Sequence, residues 1–195
     1  MYKLSYVCRM KKLGVKERII EAASNLFYFQ GYNQTGINQI IDEANVAKAS
    51  MYQHFRSKED IAVAYLKGRH IMWISNLFDF ISDKKSSKSK ILASFDYLRI
   101  WLDEVNYRGC GFQNIVCDLP ENQNKIKDQV VIHKNELRDW VHQTLNEDEN
   151  YSNLNTNELG DEILVLMDGA IILSQIQKDE WPITAAKNAC ERLLS

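Results

Sequence analysis

Apolar residues recur along most of the chain at three- and four-residue intervals and almost nowhere in strict alternation. That is the periodicity of helices, not of strands. Ile37, Ile40, Ile41 and Ala44 make one helical stripe, with Thr35 just ahead as an N-cap whose hydroxyl can accept from a free first-turn amide. Asn45, Val46 and Ala47 form the turn: asparagine tolerates left-handed backbone angles, and Val46 is placed to plug the corner. Residues 48–55 then make about two helical turns. Met51 and Phe55 face inward there, leaving Lys48, Ser50, Tyr52, Gln53 and His54 for the outer surface. The preceding helix, 17–30, carries Ile19, Ile20, Ala23, Leu26 and Phe27 on one face and stops at Gly31. Behind the pair, Ser57-Lys58-Glu59-Asp60 opens another helix, serine as cap and acids in the first turn. Two short helices joined by a tight turn form a helix-turn-helix, and a DNA major groove admits one such helix.

The remaining pattern divides into further helical blocks. We expect a long helix over 61–83, a polar loop over 84–89 and a helix over 90–106 bearing Ile91, Leu92, Phe95, Leu98, Trp101, Leu102 and Val105. Residues 108–111 break it. A short apolar helix over 112–119 ends at Pro120, and another long helix covers 121–145. An asparagine- and acid-rich surface loop fills 146–157, a helix opens at Thr156 and runs to 177, a turn covers 179–182, and the last helix spans 183–194. Only two prolines and eight glycines interrupt the chain, and no repeat or convincing strand stands out. The expected fold is all-α, with about nine helices: a three-helix, helix-turn-helix DNA-binding head (14–60, preceded by a possible basic arm over 1–13) on a larger helical bundle body (61–195).

Charge changes the picture modestly. The net charge is −2, so bulk electrostatics do not announce a nucleic-acid binder, but its distribution is uneven: +3 through residue 60 and −5 beyond. A mildly basic head on an acidic body suits phosphate contact by the head alone. Lys3, Arg9, Lys11 and Lys12 could extend it as an arm, although a frayed terminus would look the same. No apolar run reaches the roughly 18 residues of a membrane span. The start of the chain lacks the apolar core of a signal peptide. Cys8, Cys110, Cys117 and Cys190 are scattered, with neither zinc-ligand nor disulfide-scaffold spacing. His54, His70, His133 and His142 show no metal spacing, and no nucleophile motif or acid pair is found. We therefore expect a cytoplasmic protein that is not an enzyme and carries no metal or cofactor.

The run from Arg18 to Leu66 resembles the N-terminal domain of the TetR family of bacterial transcriptional repressors. The resemblance rests on Leu26-Phe27, Gly31-Tyr32, Thr35, Ile40, Ala44, Val46, Tyr52-Gln53-His54-Phe55, Lys58 and Leu66. It implies a function for particular residues. Thr35 and Lys58 match positions that contact phosphates. Lys48, Ala49 and Ser50 open the recognition helix, where base edges are met, and Tyr52 and His54 match backbone-contacting positions, with Gln53 between them. Ala49 departs from the glycine frequent there, and its methyl can still meet a thymine methyl. Tyr52 could instead be a core aromatic, as Phe55 is expected to be.

The resemblance also covers the length and helical layout of the rest. It implies a homodimer formed through the last two helices, and these are apolar over a breadth that one internal neighbour does not need. Leu159, Ile163, Met167, Ala170, Ile171 and Ser174 on one, and Ala186, Ala189 and Leu193 on the other, are the expected interface; the plainer alternative is that both helices merely close the monomer core. Arg108 to Asn114 resembles a segment in which Gly-Cys opens the sixth helix beside a ligand cavity. Phe95, Trp101, Cys110, Phe112, Asn114, Cys117, Trp140 and Met167 would then line the pocket of an unidentified small-molecule effector, with Trp73 and Phe78 as additional walls; each could equally be plain core. The implied function is a ligand-responsive transcriptional repressor that leaves its double-stranded DNA operator when the effector binds. The alternative is a redox- or electrophile-sensing repressor using Cys110 and Cys117, which lie seven residues apart, two turns along one helical face; small buried hydrophobes would be the plainer reading of both.

Overall fold

The computed structural model describes residues 13–120 and 122–195. The expected basic arm, apart from Leu13, and Cys8 lie outside these residues. Among them the chain is all-helical: α1 (Val15–Phe29), α2 (Ile37–Glu43), α3 (Lys48–His54), α4 (Lys58–Ile81), α5 (Ser87–Glu104), α6 (Gly111–Cys117), α7 (Asn124–Asn146), α8 (Thr156–Gln177) and α9 (Trp181–Leu193), with a single 3₁₀ turn at Glu149–Tyr151. No helix among the described residues is long and apolar enough to cross a membrane.

The chain groups into two compact units: residues up to Arg69 together with 111–130, and residues 70–110 together with 131–195. In the first, α1 packs on α2, α3 and α6. Ile19, Ala23, Ile40, Met51, Ile61 and Leu66 are fully buried there. The helix ends follow local chemistry. Gly31, at φ +104°, ends α1 in a conformation that costs glycine little. Asn45 makes the turn between α2 and α3 at φ +49°. Ser57 starts α4 by accepting from the Asp60 amide. In the second unit α5, α8 and α9 pack on one another, and Ile91, Phe95, Leu98, Leu102, Ile163 and Cys190 are sealed inside.

Several expected boundaries move, each for a visible reason. Helix α5 begins at Ser87, inside the expected polar loop, because Ser86 and Ser89 form a reciprocal capping box. Helix α9 takes in Trp181 and Pro182 from the expected turn: proline at the first turn has no amide to waste and a pre-set φ. The loop after α7 is not wholly a surface loop, since Tyr151 turns inward and is 7 % exposed. Helix α6 begins after Cys110 and ends at Cys117, so the two cysteines do not share a helical face.

Candidate functional site

The outer surface of α3 is open. Lys48, Ala49, Tyr52, Gln53 and His54 are exposed and Ser50 is half-buried, while Met51 and Phe55 close the core beneath. The helix thus divides between an exposed polar face and an anchoring face, as the 3.6-residue period requires. Tyr52 is 45 % exposed and so is not a core aromatic. Arg56, just beyond α3, adds an exposed cation absent from the sequence expectation.

Thr35 and Lys58 are placed differently. Thr35 is 1 % exposed, and its hydroxyl donates to the Gly31 carbonyl at 2.7 Å. It does not cap α2; the N-cap is Gly36, with no side-chain hydrogen bond. Lys58 sends its ammonium inward to the carbonyls of Tyr32 (3.0 Å) and Thr35 (3.1 Å), 4.2 Å from the centre of the Tyr32 ring. Burial pushes the Lys58 pKa down, and the nearby Asp118 carboxylate opposes that shift. Both residues thus hold the turn between α1 and α2 in shape. Burial pushes the Tyr32 phenol up to about 12, with Glu59 adding to the shift, and the hydroxyl donates to Gln123 Oε1 at 2.9 Å.

Sequence reasoning missed Arg18. Its guanidinium donates to the carbonyls of Ala44 (3.0 Å) and Asn45 (2.7 Å), satisfying acceptors left over where α2 ends. No local pattern marks it, because donor and acceptors lie more than two dozen residues apart in the chain. Asn33 and Asp118 were missed for the same reason.

The expected effector residues fall in both units. Phe95, Trp101, Cys110 and Met167 are buried in the second, with Trp140 half-buried; Phe112 is buried, Asn114 half-buried and Cys117 exposed in the first. The second unit also contains an aromatic group centred on Trp73, which meets Tyr97, Trp101 and His133 edge-on at 5.3–6.0 Å between ring centres. Beside it, His70 and His133 approach through their Nδ1 atoms at 3.0 Å, and His70 Nε2 lies 2.9 Å from Glu136.

The expected dimer residues need correction. Leu159, Ile163, Met167, Ala170, Ile171 and Ser174 are at most 8 % exposed within the single chain, and Ala186 is 7 % exposed. They form the inner faces of α8 and α9 and cannot offer themselves to a partner without opening the fold. Ala189 is half-buried and Leu193 exposed. The outer face of α8 is apolar as well, carrying Val165, Ile172, Leu173 and Ile176.

Residues 19–65 match the profile of the bacterial regulatory proteins, tetR family. These residues contain α2, α3 and the exposed polar face of α3. Over these residues the chain carries that family's N-terminal domain. The matched residues form the helix-turn-helix described above. It is 30 % identical over 109 residues to an uncharacterised HTH-type transcriptional regulator in the lacX 3′ region of Lactococcus lactis, an alignment covering 53 % of this chain and 54 % of the relative. The chain therefore spans about half the length of that relative. The fold is shared with a TetR-family transcriptional regulator from Streptomyces coelicolor (TM-score 0.83, 23 % identity, 92 % of this chain and 88 % of the other). It is also shared with a TetR transcriptional regulator from Legionella pneumophila (TM-score 0.76, 26 % identity, 94 % and 98 %).

Proposed function

We propose that this TetR-family protein is a homodimeric repressor whose α3 helices read two half-sites of a DNA operator and whose second unit binds a small-molecule effector that releases the operator. The observation that carries the reading is the division of α3 into a sealed inner face and an exposed face of Lys48, Ala49, Tyr52, Gln53 and His54. A groove-reading helix needs both: the anchor fixes its angle, and the polar face meets phosphates and base edges. The functional division is 14–60 for reading DNA and 61–195 for effector binding and dimerisation.

The effector is best matched by a flat, largely apolar molecule with one hydrogen-bonding group. The support is the cluster of Trp73, Tyr97 and Trp101 beside the His70–His133 pair, since sites of this kind combine apolar walls with few polar groups. Helix α4 runs unbroken from Lys58, next to the reading unit, to Ile81. An effector with different affinity for two α4 positions shifts the spacing of the paired α3 helices, and that differential affinity is the source of release. The thiol-sensing reading has one supporting observation: Cys117 is exposed at the end of α6, whereas Cys110 and Cys190 are buried. Burial pushes the Cys190 thiol up to about 12, which keeps it protonated and unreactive.

Mobility shift of the purified protein on its own upstream DNA, across a salt series and with and without a thiol oxidant, tests both. The expected result is tight, salt-sensitive binding by a dimer, unchanged by oxidant and reversed by an aromatic effector. Release by oxidant alone, abolished by Cys117→Ser, would replace effector control with thiol control. Binding to no duplex at any salt concentration would remove the repressor reading.

A further inference from the structure

Asp118 and Gln123, between α6 and α7, and Lys125, in the first turn of α7, bond to the two flanks of the helix-turn-helix. On one side, Asp118 takes the Asn33 backbone amide on Oδ2 at 2.7 Å. The Asn33 side-chain amide donates to the Asp118 carbonyl and, at 3.0 Å, to Oδ1. Gln123 accepts the Tyr32 hydroxyl at 2.9 Å. Tyr32 and Asn33 lie in the turn that leads into α2. On the other side, where the chain leaves α3 and enters α4, Lys125 donates to Asp60 at 2.8 Å from its ammonium and to Glu59 at 3.2 Å from its backbone amide. Glu59 and Asp60 lie in the first turn of α4.

None of these bonds belongs to the α2–α3 pair itself. That pair is held by Ile40, Met51 and Phe55 inside and by Arg18 across its turn. The outer bonds act on the pair's orientation beside the inner ones from Lys58 and Thr35, so their loss leaves the pair folded and its orientation less tightly fixed. Isolated exposed ion pairs and hydrogen bonds add little stability, so their concentration at both flanks of the pair calls for another role. Base readout depends on the angle at which a helix meets the groove, whereas the sequence-independent attraction of cations to the phosphate backbone depends on it far less.

We propose that Asp118 and Lys125 are positioning residues for operator recognition: they brace α2 and α3 from outside and fix the orientation in which α3 is presented. The inference rests on the operator-binding reading above. It separates from plain electrostatics by its sign. Asp118 is a carboxylate near a phosphate-binding unit, so if it acted by charge alone its removal would tighten binding to every duplex. As a brace, its removal weakens the selected sequence and spares the unselected one.

The test uses the full chain and two probes: a duplex enriched by the wild-type protein from a randomised pool, and a scrambled duplex of the same length. Both are measured at a temperature where circular dichroism shows every variant folded. Asp118→Ala is expected to lose about tenfold in affinity for the enriched duplex, the scale of one lost charge-assisted hydrogen-bond set. Its affinity for the scrambled duplex is expected to be unchanged or higher, with the same salt slope. Lys125→Ala, at the opposite flank, should lower the ratio of enriched to scrambled binding likewise. Asp118→Asn keeps an oxygen for the Asn33 amide and should recover part of the loss. In the double variant Asn33→Ala/Asp118→Ala the loss should not exceed that of either single, because both remove the same bonds. An unchanged ratio in Asp118→Ala, from equal affinities, a parallel fall on both probes or a parallel rise, overturns the brace. Failure of the wild type to enrich any duplex overturns the operator-binding reading and takes the brace with it.

Discussion

Tyr32 joins several contacts of the first unit. Its ring packs on Phe27 at 5.4 Å and carries the Lys58 ammonium, its carbonyl accepts from Lys58, and its hydroxyl reaches Gln123. Burial favours the neutral phenol, so the folded chain holds the proton up to about pH 12 against about 10 when unfolded. The sign follows from linkage: a group whose folded pKa is raised stabilises fully below its unfolded pKa and loses that contribution as pH rises through the folded value. Stability attributable to Tyr32 is therefore present at neutral pH and lost between about 10 and about 12. Tyr32→Phe should cost roughly 0.5–1.5 kcal/mol at pH 7 through the lost hydrogen bond. The gap between the variant and the wild type should close over that alkaline window. Thermal midpoints of both proteins from pH 7 to 12 check this; a constant gap would show that the hydroxyl's titration is not linked to folding.

At the scale of elements, the helix-turn-helix was legible because its marks are local. An apolar stripe, an asparagine turn and a serine start signal each act within a few residues, and all three were found where expected. Helix ends set by distributed or unusual caps were less legible: the Ser86–Ser89 box lengthened α5, and Pro182 drew α9 back by two residues. Faces were least legible where a helix is apolar all round. Sequence periodicity marked α8 as broadly apolar but could not say which side is inner, and the residues assigned to the partner proved to be core. Polar contacts between distant segments, such as Arg18 with Ala44 and Asp118 with Asn33, left no periodic trace at all. The α3 assignment carries its own test. Lys48 is exposed at the start of the helix. If it neutralises a phosphate, Lys48→Ala should weaken binding to every duplex and lower the slope of log affinity against log salt by about 1. If it reads a base edge, the loss should be about 1–3 kcal/mol, confined to one operator position. Titration of operator variants across a salt series distinguishes the two, and no change in either quantity would take Lys48 out of the interface.

For the whole molecule, the outer face of α8 is where we expect a second copy of the chain to bind. Val165, Gly169, Ile172 and Ile176 follow one helical stripe, with Val165 71 % and Ile176 66 % exposed. Nothing stands within 4 Å of where a Gly169 side chain would begin, so the stripe has room for a close partner helix. Leu173 borders it, and Trp181 and Leu193 leave α9 with exposed apolar groups as well. Contiguous apolar surface of this kind on a water-facing helix marks an interaction site, and self-pairing about a two-fold axis brings each stripe against its copy. We therefore expect a dimer in sedimentation equilibrium at micromolar concentration. Val165→Glu with Ile176→Glu should yield folded monomers, because both positions lie outside the core, whereas Ile163→Glu should unfold the chain by burying a charge. The monomer retains α3 but loses the second half-site, so its operator affinity should fall by orders of magnitude while single half-site binding persists. A double variant that stays dimeric would move the interface off this stripe, and a monomeric wild type would remove two-half-site recognition altogether.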